Sequence, residues 1–142
     1  MTAELYFEDV EVGTEIGPMI KHPDLRHLVM WAGASGDFNP LHYSNEFAQS
    51  KGFPGIIVHG QLAACFLGQL MTDWKGGNGV LKKLTCRYRG VNFPNEDLIC
   101  QGEVINKYID HAEHYVECNI WIEQRQEKTV TGTALITLPS RG

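Results

Sequence analysis

From Val80 to the end of the chain, apolar residues recur at every second position. Val116, Cys118, Ile120 and Ile122 alternate with Tyr115, Glu117, Asn119 and Glu123, and Val130, Ala134, Ile136 and Leu138 alternate with threonines. Period two is the signature of strands with one buried face, so both runs are predicted strands. Leu98 to Tyr108 reads as a third, entered through the turn cluster Phe93-Pro94-Asn95-Glu96-Asp97. Leu84, Cys86 and Tyr88 share one parity and Val91 and Phe93 the other, so a bulge at Gly90 is expected to restore the register of a fourth. Val10 to Ile16 offers an edge strand.

The first half has a different rhythm. After Pro23-Asp24, a helix-start signal, Leu25, Leu28, Val29 and Ala32 follow at spacings of three and four, predicting an amphipathic helix that stops near Gly33. A short helix is expected over 45–51, ended by Gly52. From Gly60 to Trp74 the apolar residues Leu62, Ala63, Cys65, Phe66, Leu67, Leu70 and Met71 leave almost no polar face, so protein should wrap that helix on most sides. An α+β architecture accounts for both halves: an antiparallel sheet of five or six strands curled around one long apolar helix, the hotdog arrangement, with a short helical overhang before it. The 142 residues, 43% of them hydrophobic, suffice for one core, so residues 1–142 are expected to form a single domain.

Charge narrows the function classes. Lys+Arg 12 against Asp+Glu 17 leaves a net charge of −5, which argues against nucleic acid or an anionic membrane as the main partner. The stretch Leu62 to Gly68 is about a third of the roughly 20 apolar residues a spanning helix needs. Met1-Thr2-Ala3-Glu4-Leu5 shows no basic start of a secretory or transit signal. The four cysteines, Cys65, Cys86, Cys100 and Cys118, form no CxxC pair and sit in apolar context, which reads as reduced, buried thiols in a cytoplasmic protein.

Candidate chemistry lies between the first helix and the apolar one. Ala34-Ser35-Gly36-Asp37-Phe38-Asn39-Pro40-Leu41-His42 holds two proton-transfer groups five positions apart. A continuous helix would splay Asp37 and His42 by about 140°, but Gly36 and Asn39-Pro40 disfavour a helix, and on a bent loop the two side chains can converge. A carboxylate beside an imidazole suits proton transfer near neutral pH; the same sequence is also a good turn, and that structural reading stays open. Gly52-Phe53-Pro54-Gly55-Ile56-Ile57-Val58-His59-Gly60 then leads into the apolar helix. Its first N–H groups lack intrahelical partners, so a ligand carbonyl can approach them past the side-chain-free Gly60, which reads alternatively as a packing glycine. Asp37, His42 and His59 lack the closely spaced pairs of metal sites. Cys65, inside the apolar helix, is expected to be too desolvated for nucleophilic chemistry. Gly76-Gly77-Asn78-Gly79 lacks the Lys-Ser/Thr of a phosphate loop.

The two segments together, 27 residues from Ala34 to Gly60, closely resemble the signature of the MaoC-like dehydratases, the (R)-specific enoyl-thioester hydratases. The resemblance implies a single hotdog fold and reversible hydration of a trans-2-enoyl thioester to the (R)-3-hydroxyacyl thioester. It assigns water activation to Asp37 and His42 and the thioester carbonyl to the Gly60 N–H. Ser35, Asn39, Pro40, Val58, His59 and Gln61 become candidate substrate-binding residues. No cofactor or metal is implied; coenzyme A or acyl carrier protein would carry the substrate. Two positions depart from the common pattern: Gln61 stands where members usually carry Met, and Gly68 where some carry a supporting Ser. The open sheet edge and the resemblance both predict a homodimer or higher even oligomer, or a heteromer with another hotdog chain, with the site near the boundary. Lys82, Lys83, Arg87 and Arg89 are candidates for the phosphate end of the carrier, or else a solvated strand face. The competing functions are a hotdog thioesterase and a non-catalytic partner subunit.

Overall fold

The computed structural model describes residues 3–142; Met1 and Thr2, the start of the stretch read for a targeting signal, lie outside the described residues. Five strands form one antiparallel sheet: β1 (Glu15–Lys21), β2 (Val80–Tyr88), β3 (Leu98–Asp110), β4 (Glu113–Gln124) and β5 (Glu127–Leu138), in the order β1-β3-β4-β5-β2. Three α-helices precede β2: α1 (Leu25–Ser35), α2 (Asn45–Ser50) and α3 (Gly60–Trp74). The alternation holds along β4, and in β5 the expected apolar residues keep to the core face while Thr129 and Thr137 are buried beside them. Val116, Cys118, Ile120 and Ile122 are buried against α3, as are Val130, Ala134, Ile136 and Leu138. Ala63, Leu67, Leu70 and Met71 supply the helix side of this core, and α3 touches all five strands. The α+β hotdog arrangement is as expected, with five strands.

Four local expectations are corrected. The edge strand begins at Glu15 instead of Val10, because Glu11 to Thr14 turn on a hydrogen bond from the Thr14 N–H to the Glu11 carbonyl, 2.9 Å. Val10 is still buried, and the Lys107 ammonium donates to its carbonyl at 2.6 Å. A register shift between Ile16 and Met19 hid the alternation of β1. Helix α1 runs past Gly33 to Ser35, since a glycine can hold helical angles, and it is Gly36, at φ +80°, that turns the chain out of the helix. The fourth strand does not run on past Gly90 to Phe93 in a restored register. β2 ends at Tyr88, the Arg89 and Gly90 N–H groups both donate to the Thr129 carbonyl, and the irregularity sits between Leu81 and Lys83. Finally, α3 keeps an exposed stripe at four-residue spacing, Gln61, Cys65, Gln69 and Asp73, so Cys65 faces outward. Cys100 and Cys118 are buried as expected, and burial pushes both thiols up to about 12.

No helix among the described residues is long and apolar enough to cross a membrane. A second, smaller apolar cluster, Leu28, Val58 and Leu62 with Trp31, Ile56 and Phe66 against it, fastens α1 to the start of α3. The loops bearing the candidate chemistry are strung around this cluster.

Candidate functional site

The bent loop forms because each polar side chain in it satisfies a backbone group. Ser35 Oγ accepts the Asp37 N–H at 3.1 Å, Asp37 Oδ1 accepts the Asn39 N–H at 3.3 Å, and Asn39 Oδ1 accepts the Leu41 N–H at 3.0 Å. Pro40 then opens a single 3-10 turn, Pro40–His42. The loop spends one carboxylate oxygen of Asp37 and leaves Oδ2 free. Oδ2 lies 3.8 Å from His42 Nε2.

The incoming segment 52–60 is pinned to this turn. The Ile57 N–H donates to the Leu41 carbonyl at 3.0 Å, and His42 Nδ1 meets the Ile57 carbonyl at 2.8 Å. A carbonyl only accepts, so Nδ1 carries the hydrogen, and in the neutral ring Nε2 presents its lone pair toward Asp37. The Val58 N–H donates to the Asn92 carbonyl at 2.8 Å, while Asn92 Oδ1 accepts the Thr129 hydroxyl at 2.6 Å. The segment is thereby tied to the sheet as well.

His42 and His59 stack face to face, ring centroids 3.8 Å apart and planes 23° from parallel. Both are buried, whereas the Asp37 side chain is 46% exposed. His59 Nε2 lies 3.2 Å from the Asp37 backbone carbonyl, and its Nδ1 is buried with no hydrogen-bond partner among the described residues. Burial, and secondarily His42, holds the His59 imidazole below its ordinary range. Asp37, His42 and His59 offer ligand atoms within 4.8 Å of one another. They make a poor cage for a shared ion: imidazole lone pairs lie in the ring planes, and two nearly parallel planes this close cannot aim at one point.

Gly60 opens α3 and is exposed. A Cβ there would come within 3.2 Å of the Tyr88 ring, so the packing reading of this glycine holds, and it coexists with open access to the first turn of the helix. His59, at the cap position, makes no side-chain cap bond, which leaves those N–H groups uncapped. Gln61 is exposed on the same turn, and Val58 is buried in the second cluster.

The sequence brought Ser35, Asp37, Asn39, Pro40, His42, His59 and Gly60 to attention, and the fold gathers them. It missed Tyr88, although the parity shared with Leu84 and Cys86 pointed its ring inward. It also missed the Ile57 carbonyl, which leaves no trace in sequence because any residue supplies one. The basic residues divide: Lys82 pairs with Glu113 at 3.2 Å, while Arg87 and Arg89 line a groove of about 470 Å³ on the outer sheet face with Trp121 and Lys128.

Comparison with known proteins yields a family and several relatives. The model of the family described as MaoC like domain matches residues 12–126. The 3-hydroxybutyryl-CoA dehydratase of Methylorubrum extorquens is 29% identical over 139 residues, covering 96% of this chain and 86% of that protein. The fatty acid synthase beta subunit TOXC of Cochliobolus carbonum is 31% identical over 113 residues, and the match takes in 75% of this chain but only 5% of that much longer protein. Among solved structures, the (R)-hydratase of A. caviae involved in PHA biosynthesis superposes with a TM-score of 0.80 at 27% identity, covering 93% of this chain and 99% of that one.

Proposed function

The chain belongs to the MaoC-like dehydratase family, and from that premise we propose that it catalyses reversible addition of water to a trans-2-enoyl thioester, giving the (R)-3-hydroxyacyl thioester. The observation that carries the reading is the meeting of Asp37 Oδ2 and the bare Nε2 of His42 beside the uncapped start of α3. A gap of 3.8 Å is too wide for a direct hydrogen bond, and a water about 2.8 Å from each atom spans it. As that water's oxygen bonds to carbon 3, its proton passes to the pair. The alkene electrons move toward the thioester oxygen and return as carbon 2 takes a proton from the pair, so the protein ends unchanged. The Gly60 N–H and the positive end of α3 stabilise the transient oxyanion, worth a few kcal/mol for one well-aimed donor. Elimination runs the same steps backward.

Assembly belongs to the same proposal. The β1 edge is blunted by its register shift and Pro18, whereas β2 offers nine residues at the other edge and ends at Tyr88, against Gly60. Pairing of two β2 edges about a twofold axis sets the two sites near the boundary. Exposed apolar side chains on the site's own segments, Phe38 at 59%, Tyr43 at 46% and Tyr88 at 51%, favour such cover or an acyl chain.

Incubation with crotonyl-CoA tests the chemistry, with longer and branched enoyl thioesters tried in parallel. Loss of enoyl absorbance without free thiol is expected. Thiol release without hydration would replace the proposal with a thioesterase, and inactivity relieved only by a second hotdog chain would make this a partner subunit.

A further inference from the structure

His59 touches both halves of the pair that the proposed chemistry uses. Its ring lies flat on His42, and its Nε2 reaches the backbone carbonyl of Asp37, 22 positions earlier in the chain. It is 1% exposed, which keeps it from direct contact with a substrate. We infer that His59 is a positioning residue: it backs the His42 imidazole with a flat face and ties the Asp37 loop to the start of α3 by a hydrogen bond, so that Oδ2 and Nε2 share one small volume.

The loop needs such a tie. It leaves α1 through Gly36 at φ +80°, the side-chain bonds of its first half are internal, Ser35 to Asp37 and Asp37 to Asn39, and the ties of Leu41 and His42 to Ile57 come only at its far end. The internal bonds shape residues 36–39 without relating Asp37 itself to the segment that carries the oxyanion-binding N–H groups. The His59 bond does. His42 is held at one ring edge by the Ile57 carbonyl, a contact that still allows the ring to rock about the Nδ1–H···O direction. A stacked neighbour 3.8 Å away removes that freedom.

The residue type fits this double task and little else. A phenylalanine would stack but could not reach the carbonyl with a donor, and a glutamine would donate but offer no rigid face. A residue selected for stability at a helix cap would be Ser, Thr, Asp or Asn, bonding the first turn. His59 makes no such bond and buries an unpaired Nδ1, a destabilising feature. Where a local rule is broken at a stability cost, the compensation is expected in function. The same choice leaves the first N–H groups of α3 free for a ligand. Burial and His42 disfavour a charged His59 ring, the form that would compete with His42 for the Asp37 carboxylate.

The test rests on the hydratase reading for its kinetic half and is independent of it for the other. His59→Phe keeps the stack and removes the donor; His59→Gln keeps a donor and removes the stack. In both full-length variants kcat on a 2-enoyl thioester is expected to fall by about 10- to 100-fold with KM within about threefold, the scale of a misplaced catalytic group. The Phe variant should melt at or above the wild-type temperature, since it removes the unpaired nitrogen, and this loss of turnover without loss of stability is one that a merely structural residue would not give. By nitrogen-15 NMR, the wild type should show His42 as the Nδ1–H tautomer. In His59→Phe the amides of residues 36–39 should exchange at least about tenfold faster, and in His59→Gln the His42 tautomer should become mixed. Unchanged kcat in the Phe variant overturns the inference, as does a rise in KM alone, which marks a substrate contact. So does lost turnover with unaltered tautomer and exchange. Should the Gln variant not fold, the Phe variant decides; should the wild type show no hydration at all, the proposed activity fails and the NMR measurements decide the positioning role by themselves.

Discussion

Asp37 divides its two oxygens between two tasks, Oδ1 bonding the Asn39 N–H and Oδ2 facing His42 Nε2. That division predicts how substitutions behave. Asp37→Asn keeps an oxygen for the loop and removes the charge, and His42→Gln keeps a polar group near Ile57 and removes the base. Each should lower kcat by about 10²-fold or more, with melting temperatures within a few degrees of the wild type. Steady-state kinetics and thermal unfolding on the same samples check both halves, and full turnover in both variants would return the motif to the turn reading. His59 carries a separate pH prediction. Its folded imidazole binds a proton less readily than an unfolded one, whose ordinary value is about 6.5. As pH falls through about 6.5 the unfolded chain takes up more protons than the folded one, and stability drops. Carboxylates held low, such as Glu96 by Arg125 and Glu113 by Tyr115, act in the same direction only below about 4.5. Between pH 7.5 and 5.5 the wild type should therefore lose more melting temperature than His59→Phe.

At the level of elements, strands with strict alternation could be read straight from the chain, because burial on one face of a pleat imposes period two and nothing local opposes it. β4 is the example, and β5 follows it with its apolar residues although Thr129 and Thr137 are buried as well. β1 was misplaced because its inward residues, Ile16 and Met19, are three apart across a register shift, and the alternation breaks there. The end of α1 was misread because Gly33 and Gly36 carry the same chemical signal and only the φ of +80° at Gly36 distinguishes them. Candidate site residues close in sequence were legible from the turn chemistry of the loop. Tyr88 and Asn92 come from the far side of the fold, and their proximity follows from the return of β2 alongside α3, which no local pattern encodes. The six-residue α2 depends on its cap, since so short a helix has little intrinsic stability. Ser44 Oγ accepts the Phe47 N–H at 3.1 Å, so Ser44→Ala should cost about 1 kcal/mol in denaturant unfolding. An unchanged midpoint would mean that packing at Ala48 alone holds the helix.

Among the described residues, the molecule presents one exposed strand edge free of proline, β2, and one exposed stripe on α3. Sedimentation is expected to give a species of twice 15.9 kDa, and a fully active species of 15.9 kDa would show that a single chain completes its own site. The outer groove bordered by Arg87, Arg89, Trp121 and Lys128 lies on the opposite face of β2 from Tyr88 and would remain open in such a pairing. The placement of the thiols has a consequence of another kind. Cys100 and Cys118 sit on the neighbouring strands β3 and β4, shielded and held up to about 12, whereas Cys65 stands in solvent on α3. An alkylating reagent at neutral pH should therefore modify Cys65 within the native protein and reach the two strand cysteines only as the sheet opens, with mass spectrometry resolving the order. Equal labelling rates would mean that the sheet breathes without unfolding; unequal ones give the sheet an internal stopwatch, started by denaturant and read on two residues that no ligand at the Asp37 loop touches.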